Sequence, residues 1–267
     1  MEAGLRTPLL DFFRRGDVAR DIRLLAAQGG LAPRAHEQLG LLMLLVGDQD
    51  PAIAQAAEST LQAIPVDALT AFLARSDVPT EMRHFFARRG IEPAALPARD
   101  ADTPFLDTAP DPEPVVDMDL EALDEAEAEQ GRSSALQRIA ALTVAQRMSL
   151  AMKGSREERA ILIRDPNKIV GVAVLSSPKL TETEVESIAK MTSISDELLR
   201  IIANTRAWVK NYGVMLALTK NPKTPVAVSM NMLARLNDRD LKVLSTDRNV
   251  PEILRITARK KVVLDKK

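Results

Sequence analysis

The stretch RSDVPTEMRHFFARR runs from Arg75 to Arg89, and STDRNVPEILRITARKK runs from Ser245 to Lys261. Each sets Val-Pro after a short polar turn, then a carboxylate, then an apolar residue followed by Arg. With Pro79 and Pro251 taken as position zero, Ser155, Ser195 and Pro225 fit the same frame. Ten residues before zero stand Leu69, Ala145, Val185, Met215 and Leu241, and seven before stand Phe72, Met148, Ile188, Leu218 and Leu244. Seven after stand Phe86, Leu162, Ile202, Met232 and Ala258. Three after stand Met82, Leu198, Val228 and Leu254, with Glu158 the exception. Ala32 gives a weaker sixth match through Ile22, Leu25, Ala35 and Leu39. Apolar residues so spaced mark two amphipathic helices flanking a turn. Pro suits a helix start, having no amide proton to leave unpaired there, and Ser can cap one. The phrase recurs because the chain is read as a series of helix pairs.

The same signals place the C-terminal helices near 143–152, 155–164, 167–177, 182–191, 195–204, 208–220, 225–235, 238–245 and 251–261. RDPNK at Arg164 and DQDPA at Asp48 add Asp-Pro helix starts. KIVGVAVL from Lys168 is the one β-looking run; its place between Asp-Pro and Ser-Pro stops favours a buried helix over a strand. Aromatic residues make up only 3% of the chain, so the core is built from Ala, Leu, Ile, Val and Met. Such side chains suit close helix packing.

Charge divides the chain. Residues 1–90 carry a net charge of −1, whereas 91–134 hold 2 basic and 13 acidic residues, and 135–267 hold 24 basic and 13 acidic. The acidic stretch opens with prolines at 93, 97, 104, 110, 112 and 114, too many for helix or sheet. High charge with little apolar content leaves too little burial to offset chain entropy. Residues 91–133 therefore read as a disordered acidic linker between an N-terminal helical block, 1–90, and a basic helical block, 134–262, with a tail at 263–267. The linker's second half lacks proline and places Val116, Leu120 and Leu123 at helical spacing. Two readings stand for it: a solvated spacer, or a helical latch over 115–130 that folds back on the basic block and regulates it.

The stretch from Leu218 to Lys260, LTKNPKTPVAVSMNMLARLNDRDLKVLSTDRNVPEILRITARK, resembles leucine-rich repeat variant units. There a turn rich in Asn, Pro and Thr leads into a helix with a Pro-x-x-Leu or Pro-x-x-x-Arg pattern. The wider helix-pair pattern is similar to HEAT-like α-solenoids. The resemblance implies an all-α fold of stacked helix pairs in two blocks. It also implies an extended binding surface rather than catalysis.

Chemistry-bearing motifs are sparse. The chain has no cysteine, which excludes disulfides and thiolate metal sites. His36 and His84 stand apart among apolar neighbours, without the spacing of a metal pair. MKGSREER at Met152 lacks the spaced glycines of a phosphate loop and reads as a turn capped by Ser155. Glu182, Glu184 and Glu186 read as a solvated set complementing a helix dipole. No catalytic residue, cofactor or metal is expected, nor is a small-molecule substrate, and the chain is read as a non-enzyme. Arg83, Arg159 and Arg255 fall four residues after zero and Arg200 five after. Such arginines either stabilise their own repeat or, as Arg159, Arg200 and Arg255, contact an anionic partner. The leading expectation is a scaffold for a protein or peptide partner. The alternative is a nucleic-acid binder using the basic block, although Trp208 and Tyr212 are that block's only aromatics for base stacking. No membrane span is expected, because the longest apolar run, LGLLMLLVG from Leu39, is under half of what a crossing needs. A cytoplasmic location is the default.

Overall fold

The computed structural model describes residues 7–32, 34–97, 103–108, 112–113 and 125–264, with the backbone alone at 125–130, 132 and 264. Seventeen helices and no strand occur among these residues. They are α1 (Pro8–Arg14), α2 (Arg20–Ala27), α3 (Ala35–Leu45), α4 (Pro51–Ala63), α5 (Val66–Leu73), α6 (Thr80–Ala87), α7 (Glu125–Ala141), α8 (Val144–Lys153) and α9 (Arg156–Leu162). There follow α10 (Lys168–Ser176), α11 (Glu182–Lys190), α12 (Asp196–Asn204), α13 (Arg206–Val209), α14 (Tyr212–Lys220), α15 (Val226–Leu233), α16 (Asp238–Thr246) and α17 (Glu252–Leu264). No helix among the described residues is long and apolar enough to cross a membrane.

The helices form because the frame buries most of the side chains it marks. All ten residues seven before and seven after the turn are buried, from Phe72 and Phe86 to Leu244 and Ala258. Glu158, the polar exception, is also buried, at 2% exposure. Its carboxylate Oε2 accepts from Ser155 N at 2.6 Å while Glu158 N donates to Ser155 Oγ at 3.3 Å. A Ser-x-x-Glu capping box thus stands where the other copies carry an apolar residue. KIVGVAVL is helical, with Val170, Val172, Ala173 and Val174 wholly buried. The 208–220 helix is in fact two, α13 and α14, because the Asn211 side chain accepts from Gly213 N at 2.8 Å and Val214 N at 3.4 Å and starts a new helix.

Two units emerge from the packing, one of residues 1–162 and 172–179, the other of 163–171 and 180–267. They do not coincide with the blocks 1–90 and 134–262 read from the sequence. Within the first unit α8 packs on α2, so the helices after the acidic stretch join those before it. Helix α3 is its centre: Leu39, Leu41, Leu42 and Leu45 are buried. Gly40 lets α1 approach, since a Cβ there would lie 2.8 Å from Leu10 Cδ1.

Part of the acidic stretch is held in this unit. Gln38 Oε1 accepts from Phe105 N at 2.7 Å and Leu106 N at 3.2 Å, and Gln38 Nε2 donates to Leu106 O. Thr108 Oγ1 donates to Gln28 O at 2.7 Å, and Lys153 Nζ pairs with Asp107 at 2.8 Å. Composition predicts a solvated spacer here, but Phe105 and Leu106 find an apolar surface and a buried amide. Helix α7 also starts inside the expected linker, at Glu125.

The second unit is all-helical among its described residues and holds α11 to α17. Helices α11 and α14, α14 and α15, and α16 and α17 pack together. Gly171 admits Leu198, whose Cδ1 would lie 2.7 Å from a Cβ at that position. Thr181 and Glu184 form a capping box at the start of α11, and Glu184 is buried rather than solvated. Polar bonds at both ends of α14 tie it to α11. Asn221 Nδ2 donates to Ala189 O at 2.8 Å and Met191 O at 2.9 Å, and Asn211 Nδ2 donates to Glu182 at 2.9 Å. Cations make three more such bonds: Lys223 to Ile194 O at 3.4 Å, in the turn before α12, and, at helix ends, Arg235 to Val209 O at 3.1 Å and Lys261 to Ala234 O at 2.5 Å. Those three bonds span 29, 26 and 27 residues. The last two place a positive charge on carbonyls that a helix end leaves unpaired.

Candidate functional site

The arginines of the frame have separate occupations. Arg83 Nε donates to Leu73 O at 3.0 Å and its terminal nitrogen to Arg75 O, closing the end of α5. Arg159, in the first unit, is 5% exposed and donates to Gly154 O at 3.0 Å and Lys179 O at 3.4 Å. Both bond carbonyls in other turns. Arg200 lies in the second unit, on α12, at 3.7 Å from Asp196 one helical turn back, with its side chain 57% exposed. Arg255 is half-buried on α17, its Nε without a hydrogen-bond partner among the described residues. The candidate latch residues Val116, Leu120 and Leu123 lie outside the described residues.

Helix α17 shows what the frame alone does not reveal. Leu254 and Ala258 face inward at 1% and 0% exposure. Ile253, Ile256 and Val263 lie on the opposite side of the same helix, 54%, 44% and 57% exposed. Spacings of three and seven residues align them in one ridge. Exposed Lys260 stands in the line of the ridge between Ile256 and Val263, exposed Arg259 lies beside it and donates to Ser245 O at 3.4 Å, and Val243 is exposed on the partnering α16. The signal was present in ILRITARKKVV as two interleaved apolar periods, of which the frame uses one.

A cleft of about 700 Å³ opens at the C-terminal ends of α11 and α14, where Lys190, Lys220, Asn221 and Asp247 line it. Three of its charges are engaged locally: Lys190 pairs with Glu186 at 2.6 Å, and Asp247 accepts from Asn249 N at 2.9 Å. No group of three or more His, Asp or Glu able to hold a metal ion occurs among the described residues. His36 meets Phe72 edge-on at 5.7 Å, and His84 lies exposed on α6.

Tyr212 ties α14 to α16: its hydroxyl donates to Asp240 at 2.6 Å and accepts from Asn237 N at 3.2 Å. Desolvation, followed by the bond to Asp240, raises its phenol above the usual value near 10. A raised acid favours its neutral form in the fold, so this contribution is present below about pH 10 and is lost as pH rises through the folded value. Tyr212→Phe has no phenol to ionise and is expected to lose less stability than the parent above about pH 10. Denaturant midpoints of the two proteins across the alkaline range measure the difference, and parallel curves would refute it.

No protein-family model matches the chain, and neither a curated protein nor a solved structure does.

Proposed function

We infer that the chain is a non-catalytic helical-repeat scaffold of the α-solenoid kind, holding a protein partner through the ridge of α17. The ridge carries this reading. A helix face turned to water is ordinarily polar, yet this one shows three large aliphatic side chains there. Arg259 and Lys260 beside them favour an amphipathic partner helix with acidic flanks. The bonds that tie α14 to α11 and α17 to the end of α15 support stacking. The fit of the partner rests on apolar contact, with the cations setting orientation and rate.

Ile253→Asp with Ile256→Asp tests the reading. The pair is expected to leave the thermal transition nearly unchanged, because both side chains are exposed, and to abolish capture of the native partner in nuclease-treated extract. Retention of the same partner by the double variant would end the proposal.

The basic excess beyond residue 134 supports a second reading, nucleic-acid binding. Lys210, Arg239, Lys242, Arg248 and Lys260 are exposed, whereas Arg235 and Lys261 already serve helix ends and Lys223 a turn carbonyl. On that reading capture is lost with nuclease, and retention on DNA falls steeply with salt.

A further inference from the structure

Thr103–Thr108, TPFLDT, lies on the first unit as a ligand lies on a receptor. Gln38 is 1% exposed. All the hydrogen-bonding capacity of its amide is engaged: two bonds accepted from Phe105 N and Leu106 N, one donated to Leu106 O and one to Gly29 O at 3.3 Å. Three of the four read the backbone of the acidic stretch. A buried amide left without those partners would be an unsatisfied donor and acceptor, which folds avoid.

The side chains are read one by one. Phe105 meets the Phe72 ring edge-on at 5.5 Å and 82°. Leu106 rests over Gly29, which sits at φ +85° after the end of α2. Asp107 pairs with Lys153, and Thr108 donates to Gln28 O. Phe105 and Leu106 are only half-buried, and Asp107 and Thr108 are exposed. The segment is laid on a finished surface of helices rather than built into its core.

We propose that the groove formed by Gln28, Gly29, Gln38, Phe72 and Lys153 is a peptide-recognition site for extended segments running aromatic, aliphatic, acidic. Thr103–Thr108 is its resident ligand and exchanges with a segment of the same pattern from a partner protein. The Gln38 amide supplies affinity for any extended backbone. Phe72 and Lys153 select the side chains. Tethering gives the resident segment an effective concentration of about millimolar, so a partner must bind well or the resident must first be released. This site is separate from the α17 ridge, and Ile253→Asp with Ile256→Asp leaves it unchanged.

The probe is a fluorescein-labelled peptide with the sequence of residues 101–110, ADTPFLDTAP, titrated by anisotropy into the full chain. Phe105→Ala with Leu106→Ala frees the groove, and this variant is expected to bind the probe at least about tenfold more tightly than the parent does. Adding Lys153→Glu weakens that binding, and a probe carrying Lys in place of the aspartate of Asp107 restores it. Circular dichroism and melting establish that each variant is folded. Should the double variant not fold, Asp107→Lys alone ejects the resident by repulsion, and the unaltered probe must then bind it more tightly than the parent. Equal affinity for parent and freed groove, or binding that Lys153→Glu does not change, overturns the proposal. Self-association of the parent that Phe105→Ala removes would assign the groove to a second copy of the chain and overturn it as well.

Discussion

Replacing Phe72 by alanine is expected to cost about 3–5 kcal/mol of stability. The ring is 1% exposed. His36 and Phe105 meet it edge-on at 5.7 and 5.5 Å, and the Arg75 guanidinium lies 5.5 Å from its centre. Truncation therefore removes buried area and leaves a cavity under three neighbours, and it also removes aromatic pairs worth about 0.5–1.5 kcal/mol each. A shift in urea midpoint measures the cost. Amide exchange at Phe105 and Leu106 should quicken in the same variant, since the aromatic anchor beneath them is gone. A loss below about 1 kcal/mol would mean that the neighbouring helices collapse freely into the space.

The second large effect separates two adjacent residues. Leu254→Ala is expected to cost about 2–4 kcal/mol, and Leu198→Ala at the equivalent place a similar amount. Both are buried, at 1% and 4% exposure. Ile253→Ala, one residue earlier and 54% exposed, should change stability by less than about 0.5 kcal/mol. Equal losses at 253 and 254 would place the ridge of α17 inside the core and remove the surface proposed for a partner. Denaturant titrations of the three variants decide the matter.

Most of the helical frame was legible because it is local. Amphipathic period, Asn, Ser and Thr caps, and proline starts act within a turn or two of chain, so burial at Phe72, Ile188 or Leu244 follows from spacing alone. Glu158 was legible too, as the fourth residue of Ser-Arg-Glu-Glu, though the apolar frame passed over it. The Asn211 start needed the side chain's bond to Gly213 N, which a periodic reading runs through. The Arg83 and Arg159 positions could be found, but their acceptors could not. Those acceptors are carbonyls in other turns, 10 residues away for Leu73 and 20 for Lys179. The seat of Phe105 was hidden for the same reason. Its partners, Gln38 and Phe72, are distant in sequence, while the surrounding prolines and acids dominate any window average.

The cations at helix ends have a consequence for how such a chain changes length over generations. Lys223, Arg235 and Lys261 each reach back 26–29 residues to a carbonyl at the end of an earlier helix or the turn after it. The three spans, 194–223, 209–235 and 234–261, follow one another without a gap. A residue gained or lost anywhere between 194 and 261 therefore falls inside at least one of them and alters the length of chain that one of these bonds closes. Changes of length that spare all three bonds are confined to the chain outside that stretch.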